Sequence, residues 1–246
     1  MKKEEIVKKY DEIARKNLSC LKECCPPETS LSLLRRYYQN LTDEFPEEFP
    51  EISDLSLGCG NPILFSEINE GLTVLDIGSG RGLDVFIAAK KVRDTGKVIG
   101  LDLSKEMIKK ATNNAKKLKL NNVEFKHGDM ENMPIESNSV DTIISNCVIN
   151  LATDKEKVFR EAYRVLKKGG KIVVSDIVTE KPVPDHIRED LNLWISCIAG
   201  ALPENEYLET IKKAGFSEIQ ILEKIKLFSI EKFSLDGYSI TVKAQK

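Results

Sequence analysis

The sequence predicts an α/β fold in which a parallel sheet is doubly wound by helices. Three observations predict it: short apolar runs of strand length, amphipathic helical repeats between them, and a glycine-rich turn after the first run. Parallel strands require a crossover between them, and each crossover is right-handed, so helices should cover both faces of the sheet. Ligands of such sheets bind beyond the carboxyl ends of the strands. Functional side chains should therefore follow the strands.

The glycine-rich turn lies in the segment VLDIGSGRGLD, residues 74–84. Its apolar start predicts a buried strand, and Gly78, Gly80 and Gly82 then alternate where the chain must turn tightly into a helix. A dinucleotide-binding fingerprint needs its third glycine one position later, where this chain has Leu83. Gly-x-Gly-x-Gly instead resembles the first motif of class I S-adenosylmethionine-dependent methyltransferases. A tight turn without a ligand would share the pattern, so the following strands decide.

The second predicted strand spans residues 97–102 and ends at Asp102. This acid lies roughly twenty residues beyond the glycine turn, where a carboxylate accepts hydrogen bonds from a ribose diol in such folds. A helix capped by Ser104 follows, and Met107 begins its apolar face. Lysines occupy the other face. Because the net charge is −2, we interpret them as a solvated surface and not as a nucleic-acid patch.

The third and fourth predicted strands also end in polar residues. Residues 122–125 lead to Gly128 and Asp129, and residues 140–145 lead to Asn146. In the methyltransferases that the glycine motif resembles, an acid at the position of Asp129 hydrogen-bonds the adenine amino group. The carboxyl ends of these strands should meet at one edge of the sheet.

The rest of the chain completes this Rossmann-like sheet. We divide it into a loop-rich, cysteine-bearing extension with an amino-terminal helix, residues 1–71, and a methyltransferase domain with acceptor-site insertions, residues 72–246. The remaining predicted elements are a helix over 2–16, a helix over 154–166, a turn at 168–171, a fifth strand over 172–175, a helix through Ile187, Leu191 and Trp194, a helix over 206–214, and a reversed pair of strands near 217–224 and 237–244.

Composition narrows the class of protein. A chain of 246 residues with 41% hydrophobic content can bury one sizeable core. The slightly acidic balance argues against nucleic acid or an anionic membrane as the main partner. No run is long and apolar enough to cross a bilayer, and the first residues do not resemble a signal peptide. We therefore expect a cytoplasmic monomer whose six cysteines stay reduced.

Three cysteines occupy positions where chemistry is expected. Cys59 lies in the glycine-flanked segment GCGNP, which predicts a mobile, exposed loop, Cys147 follows the fourth strand, and Cys197 lies after the fifth. Each could simply pack as a small hydrophobic residue. A zinc site is disfavoured because these three lack paired close spacing. For Cys20, Cys24 and Cys25, packing or a loose metal tether fits as well as any function.

The cysteine motifs make the resemblance specific. GCGNP, LDIGSGRGLD, SNCVINL, VSDIV and CIAGA, in this order, are similar to those of the microbial arsenite methyltransferases. The resemblance implies that Cys59, Cys147 and Cys197 bind trivalent arsenic, which would arrive as a thiol conjugate, and that glutathione or thioredoxin serves as the thiol reductant. It also implies that S-adenosylmethionine is bound by the glycine loop and the strand ends, at Asp76, Gly78, Ser79, Gly80, Asp102, Leu103, Met107, Gly128, Asp129, Met130 and Asn146.

Two other functions remain open on the sequence alone. The chain could methylate carbon or oxygen of a small metabolite such as a quinone precursor, with Cys147 merely lining the pocket. It could also be a thiol-based sensor or sequestering protein for soft metalloids. An oxygen or nitrogen methyltransferase commonly needs a base near the acceptor. Only two histidines exist, of which His127 should order the adenine loop and His186 should be an exposed residue at a helix start.

Overall fold

A computed structural model describes residues 3–16, 58–231 and 235–246 of the chain. Its centre is an eight-stranded sheet in the order β3-β2-β1-β4-β5-β8-β7, with β6 paired to β5. The strands are β1 Thr73–Ile77, β2 Lys97–Asp102, β3 Val123–His127, β4 Val140–Asn146, β5 Leu166–Thr179, β6 Leu202–Pro203, β7 Ser217–Ile230 and β8 Leu235–Gln245.

Helices connect the strands and cover the sheet. They are α1 Lys3–Lys16, α2 Pro62–Phe65, α3 Leu83–Val92, α4 Lys105–Lys117, α5 Lys155–Val165, α6 Asp185–Arg188, α7 Leu191–Ile195 and α8 Glu204–Lys213, and a 3₁₀ turn spans Ile149–Leu151. Ser104 caps α4 and Asp154 caps α5, each by accepting a hydrogen bond from the first helical turn. Both caps satisfy amides that would otherwise lack partners, and the cap at Ser104 is the one that the sequence predicts.

The sheet is parallel except at one edge. Strands β1 to β6 pair in parallel, whereas β8 pairs antiparallel with both β5 and β7. The central strand β1 is buried over nearly its whole length, which explains its unbroken apolar run. The doubly wound fold and its reversed closing pair are thus confirmed. The carboxyl ends of β1, β2, β3 and β4 meet at one edge.

Several predicted elements differ in detail, among them the fifth strand, which spans Leu166–Thr179 and not only residues 172–175. The single helix expected through Trp194 is two short helices, α6 and α7, because the Asp190 carboxylate caps a new start by accepting from the amides of Asn192 and Leu193. The turn expected at 168–171 lies within β5, where Gly169 takes a φ of +79°. Strand β3 extends to His127. Cys20, Cys24 and Cys25 lie outside the described residues.

Helix α1 lies against the sheet domain. Its apolar face buries Ile6, Ile13 and Ala14, which follow the helical repeat seen in the sequence. The Arg81 guanidinium donates to the carbonyl of Ile13 at 3.2 Å, and the Tyr10 hydroxyl donates to the carbonyl of Ile195 at 3.1 Å. Helix α1 therefore contacts both the glycine turn and the segment that carries Cys197.

Candidate active site

A cavity of about 1130 Å³, part of it open to solvent, lies beyond the carboxyl ends of β1 to β4. Every residue predicted to contact the cofactor lines it, and so does Cys147. The residues that the sequence analysis did not select are Lys3, Ile6, Val7, Tyr10, Gly58, Arg81, Leu83, Asp84, Leu101, Ser104, Val148 and Leu151. The position of the cavity follows from the fold, because doubly wound sheets open at the ends of their parallel strands.

The glycine turn leaves room for a ligand. Gly80 has a φ of +51°, which favours glycine, and a Cβ at this position would meet no protein atom within 4 Å. A side chain there would extend into space that the protein leaves empty. The hydroxyl of Ser79 is buried and has no hydrogen-bond partner within the described part of the chain. An open cradle beside an unsatisfied hydroxyl fits a polar ligand lying against the backbone.

Asp102 is tied to the glycine turn. Its carboxylate accepts the amide of Gly80 at 2.9 Å and the amide of Ser104 at 2.8 Å. Burial raises the pKa of Asp102, and these two amides oppose the rise. The Asp102 residue is half-buried against the turn. Asp102 can therefore order the turn as well as offer an oxygen to a diol.

Asp129 is paired with helix α1. The Lys3 ammonium lies 2.7 Å from the Asp129 carboxylate and 2.8 Å from that of Glu131. Lys3, Ile6, Val7 and Tyr10 all line the cavity, so α1 covers the cofactor side of the site. The periodicity of α1 predicts a buried face but not the surface that it meets, which is why the sequence analysis missed these residues.

Two more carboxylates lie beneath the turn. Burial raises the pKa of Asp76 well above its usual range, and the nearby charges of Asp84 and Asp102 add to the rise. The Asn146 carboxamide lies 3.4 Å from the Asp84 carboxylate. Asp84 lies in the first turn of α3, a common position for an acid, so no sequence pattern singles it out. A cationic ligand group bound here would favour the ionised forms of these carboxyl groups.

The three cysteines come together beside the cavity, and Cys147 forms part of its wall. Cys147 and Cys197 are buried, Cys59 is half-buried, and all three are free thiols. The thiol of Cys197 donates to the carbonyl of Cys147 at 2.8 Å. Contacts with the thiols of Cys197 and Cys59, together with burial, raise the pKa of Cys147 well above its usual range. The protonated form of Cys147 is therefore favoured over its thiolate.

The backbone at two of these cysteines is strained. Cys147 and Cys197 both have a φ of +61°, although neither is glycine and both are buried. Left-handed conformations of residues with a Cβ are costly, by about 1–3 kcal/mol, and they concentrate at functional sites. No sequence pattern predicts this conformation.

No group of three or more His, Cys, Asp or Glu side chains in the described ranges is arranged to hold a metal ion, so the thiols are neighbours and not a closed metal cage.

The Cys59 loop is anchored and not freely exposed, contrary to the sequence expectation. The Asn146 carboxamide oxygen accepts the amides of Cys59 at 3.1 Å and Gly60 at 3.2 Å, and its nitrogen donates to the carbonyl of Gly60 at 2.9 Å. On the opposite side, the Ser239 hydroxyl donates to the carbonyl of Cys59 at 2.8 Å. Glycines on both sides of a cysteine suggested mobility, but they permit close approach here.

The two histidines lie at the end of β3 and in α6. His127 places its Nε2 atom 3.0 Å from the carbonyl of Leu103, a residue of the cavity wall, and His186 is exposed at the start of α6.

Across the described residues no helix has the length and apolar character needed to span a membrane.

Comparison with known proteins defines the class. The model of a family described as "Methyltransferase domain" matches residues 68–215. The chain therefore belongs to the methyltransferase-domain family, as its sheet order and its cavity already indicate.

Particular relatives sharpen this result. The chain is 41% identical over 201 residues to an arsenite methyltransferase of Halobacterium salinarum, an alignment that covers 82% of this chain and 51% of that protein. An arsenite methyltransferase of Aquipseudomonas alcaligenes is 36% identical over 71% of this chain and 52% of its own length. The chain thus spans about half the length of these curated relatives.

One solved structure is similar to this chain in both fold and sequence. The fold matches an arsenic(III) S-adenosylmethionine methyltransferase from Chlamydomonas reinhardtii with a TM-score of 0.70 and 36% identity, over 77% of this chain and 67% of that one. The resemblance to arsenite methyltransferases that the cysteine motifs indicated is confirmed by these relatives.

Proposed function

We propose that this chain transfers the methyl group of S-adenosylmethionine to trivalent arsenic held by Cys59, Cys147 and Cys197, in a reaction that serves arsenic detoxification. The observation that carries the proposal is the meeting of three free thiols with the cavity that the glycine turn lines. Cys147 belongs to both groups, because it lines the cavity and contacts the other two thiols. The arsenite methyltransferases among the relatives support the same assignment.

The residues of the cavity fit the cofactor by position and chemistry. Asp102 and Asp129 would accept from the ribose and the adenine, and the turn at Gly78, Ser79 and Gly80 would lie against the methionine portion. Asp76, Leu103, Met107, Gly128, Met130 and Asn146 complete this proposed cofactor set. When bound there, S-adenosylmethionine supplies a sulfonium methyl group, the electrophile that the arsenic lone pair attacks.

The thiols bind the acceptor by exchange of ligands. Each cysteine forms a bond from sulfur to arsenic, while the bond from arsenic to a hydroxide or a carrier thiolate breaks. The thiol proton leaves with that group, as water or as the free carrier thiol. Because the departing ligand takes the proton, the raised pKa of Cys147 does not require a separate base. Soft thiolates suit soft trivalent arsenic and leave its lone pair free.

The remaining requirement for methyl transfer is correct positioning of the acceptor. Arsenic carries no proton to be removed, so a general base is not needed at the reacting atom. Buried Cys147, which lines the cavity, and Cys197 beside it would hold the acceptor, and in-line attack then depends on orientation. The absence of both histidines from the thiol group is consistent with this chemistry.

We also propose a reductant, a cellular compartment and an oligomeric state for the protein. Pentavalent arsenic must be reduced between transfers, for which we propose a thiol reductant such as glutathione or thioredoxin. Free cysteines at the site suit a reducing compartment, so we place the protein in the cytoplasm as a monomer, with neither nucleic acid nor membrane as a partner. We also propose that residues 1–71 form an amino-terminal extension and that residues 72–246 form the methyltransferase domain.

Incubation of the purified protein with arsenite, S-adenosylmethionine and a thiol tests the function. We expect cofactor consumption that depends on arsenite and methylated arsenic as the product. Arsenate without a reductant should give none, because pentavalent arsenic has no lone pair. Cofactor consumption driven by a quinone precursor would indicate a metabolite methyltransferase, and tight arsenite binding without turnover would indicate a sensor.

A further inference from the structure

The carboxamide of Asn146 joins the two halves of the site. Asn146 lines the cavity, and its carboxamide holds the backbone of the Cys59 loop. Three hydrogen bonds from one side chain to two successive residues fix the orientation of a loop more tightly than any single bond. The same carboxamide lies 3.4 Å from the Asp84 carboxylate on the cofactor side.

The Cys59 loop passes very close to the Asn146 side chain. A Cβ on Gly58 would lie 2.2 Å from the Asn146 carboxamide nitrogen, so glycine is required for the loop to pass this closely. Ser239 grips the Cys59 carbonyl from strand β8. Asn146 is also the residue before Cys147, so the side chain that holds one thiol loop adjoins another thiol.

We propose that Asn146 is a positioning residue that sets Cys59 as the third sulfur ligand, and thereby controls the choice between inorganic arsenite and methylated trivalent arsenic. This inference rests on the proposed function. Inorganic arsenite can take three sulfur ligands, whereas a monomethylated arsenic has only two exchangeable positions. Cys147 and Cys197 lie buried in one cluster and would supply two ligands without the loop. Correct placement of Cys59 therefore matters for the inorganic substrate alone.

Binding measured without the cofactor separates this role from cofactor recognition. Titration of Asn146→Ala with arsenite and with monomethylated trivalent arsenic, followed by the fluorescence of Trp194, should show at least about a tenfold loss for arsenite. Affinity for the methylated substrate should stay within about twofold. Cys59→Ser should give the same pattern. The double variant should lose no more than Cys59→Ser alone, because Asn146 acts through that thiol.

Two further variants make the outcome decisive. Ser239→Ala removes the opposite anchor of the loop without touching the cavity wall, and it should give a smaller loss in the same direction even if Asn146→Ala folds poorly. Asn122→Ala removes a carboxamide that donates to the carbonyls of Ala89 and Arg93 far from the thiols, and it should leave the ratio of the two affinities unchanged.

The outcomes distinguish this inference from the function on which it rests. If the unaltered protein fails to bind arsenite, or if Cys59→Ser does not discriminate between the substrates, the proposed function is wrong. If Cys59→Ser discriminates but both Asn146→Ala and Ser239→Ala lose the two substrates equally or not at all, the function stands and the positioning role of Asn146 is wrong.

Discussion

The cofactor end and the thiol end of the cavity are built on different physical principles. At the cofactor end, parallel strands β1 to β3 deliver the glycine turn, Asp102 and Asp129, as in any doubly wound sheet. At the thiol end, three segments far apart in sequence meet, and two of the cysteines have left-handed backbones. One end follows from regular structure and the other from irregular structure. We propose that the regular end binds the cofactor and that the strained end binds arsenic through its cysteine sulfurs.

The largest effect is expected at the thiol end. Cys147→Ser should reduce methylation of both arsenite and monomethylated trivalent arsenic by more than about a hundredfold, because a hard hydroxyl replaces a soft ligand of similar size. Cys197→Ser should behave alike. Turnover with each substrate, with folding checked by circular dichroism, measures this. A fully active Cys147→Ser protein would show that the cysteine only packs in the core.

At the cofactor end, Asp102→Ala should weaken S-adenosylmethionine binding by roughly tenfold to a hundredfold, which corresponds to ~1.4–2.8 kcal/mol. The change removes both the proposed ribose acceptor and the hydrogen bonds to Gly80 and Ser104. Calorimetric titration provides the measurement. Asp154→Ala is the matched control, since it removes the α5 cap and should lower stability without altering cofactor affinity. Equal affinities of the Asp102 variant and the unaltered protein would remove Asp102 from the site.

Buried Asp176 makes the stability of the folded protein depend on pH. Burial raises the pKa of Asp176 from 3.8 to about 7, although the Tyr207 hydroxyl donates to it at 3.0 Å. The unfolded chain loses this proton near pH 4 and the folded chain retains it to about pH 7, so the group lowers stability progressively as pH rises between these values. The loss is on the order of 1.4 kcal/mol for each unit of displacement.

Asp176→Asn should abolish this dependence. Urea unfolding at pH 5 and pH 8 should show that the unaltered protein loses stability relative to the variant at the higher pH. Glu136→Gln, an equivalent change at an exposed position, should follow the unaltered protein. Parallel behaviour of the unaltered protein and Asp176→Asn would show that the carboxylate is ionised throughout this range.

The smallest effect concerns α1, which covers the cofactor end. Lys3→Ala removes the pairs with Asp129 and Glu131. Since partly exposed ion pairs contribute about 0.2–1 kcal/mol, cofactor dissociation should accelerate by about 1.5- to 5-fold. Stopped-flow displacement of the cofactor tests this, with Lys9→Ala, on the same helix but away from the cavity lining, as the control. Unchanged dissociation would mean that α1 covers the cavity without restraining the ligand.

The same contrast explains what the sequence could predict. Strand and helix periods predicted the sheet, and the rule that ligands lie beyond strand ends placed Asp102 and Asp129 at one cavity. Cys59 was predicted as a ligand but not as an anchored one, because no local pattern shows that Asn146 will hold its loop. The left-handed backbone at Cys147 and the cover formed by Lys3 depend on contacts between distant segments, and periodicity carries no information about those.

The most direct test of the account is the turnover of Cys59→Ser with two acceptors. Cys59 should be required only while arsenic has three exchangeable positions. We predict that the variant loses nearly all methylation of inorganic arsenite and keeps most of its activity on monomethylated trivalent arsenic, as judged by chromatographic speciation of the products. Equal loss on both acceptors, or undiminished methylation of arsenite, would contradict the assignment of Cys59 as the third sulfur ligand.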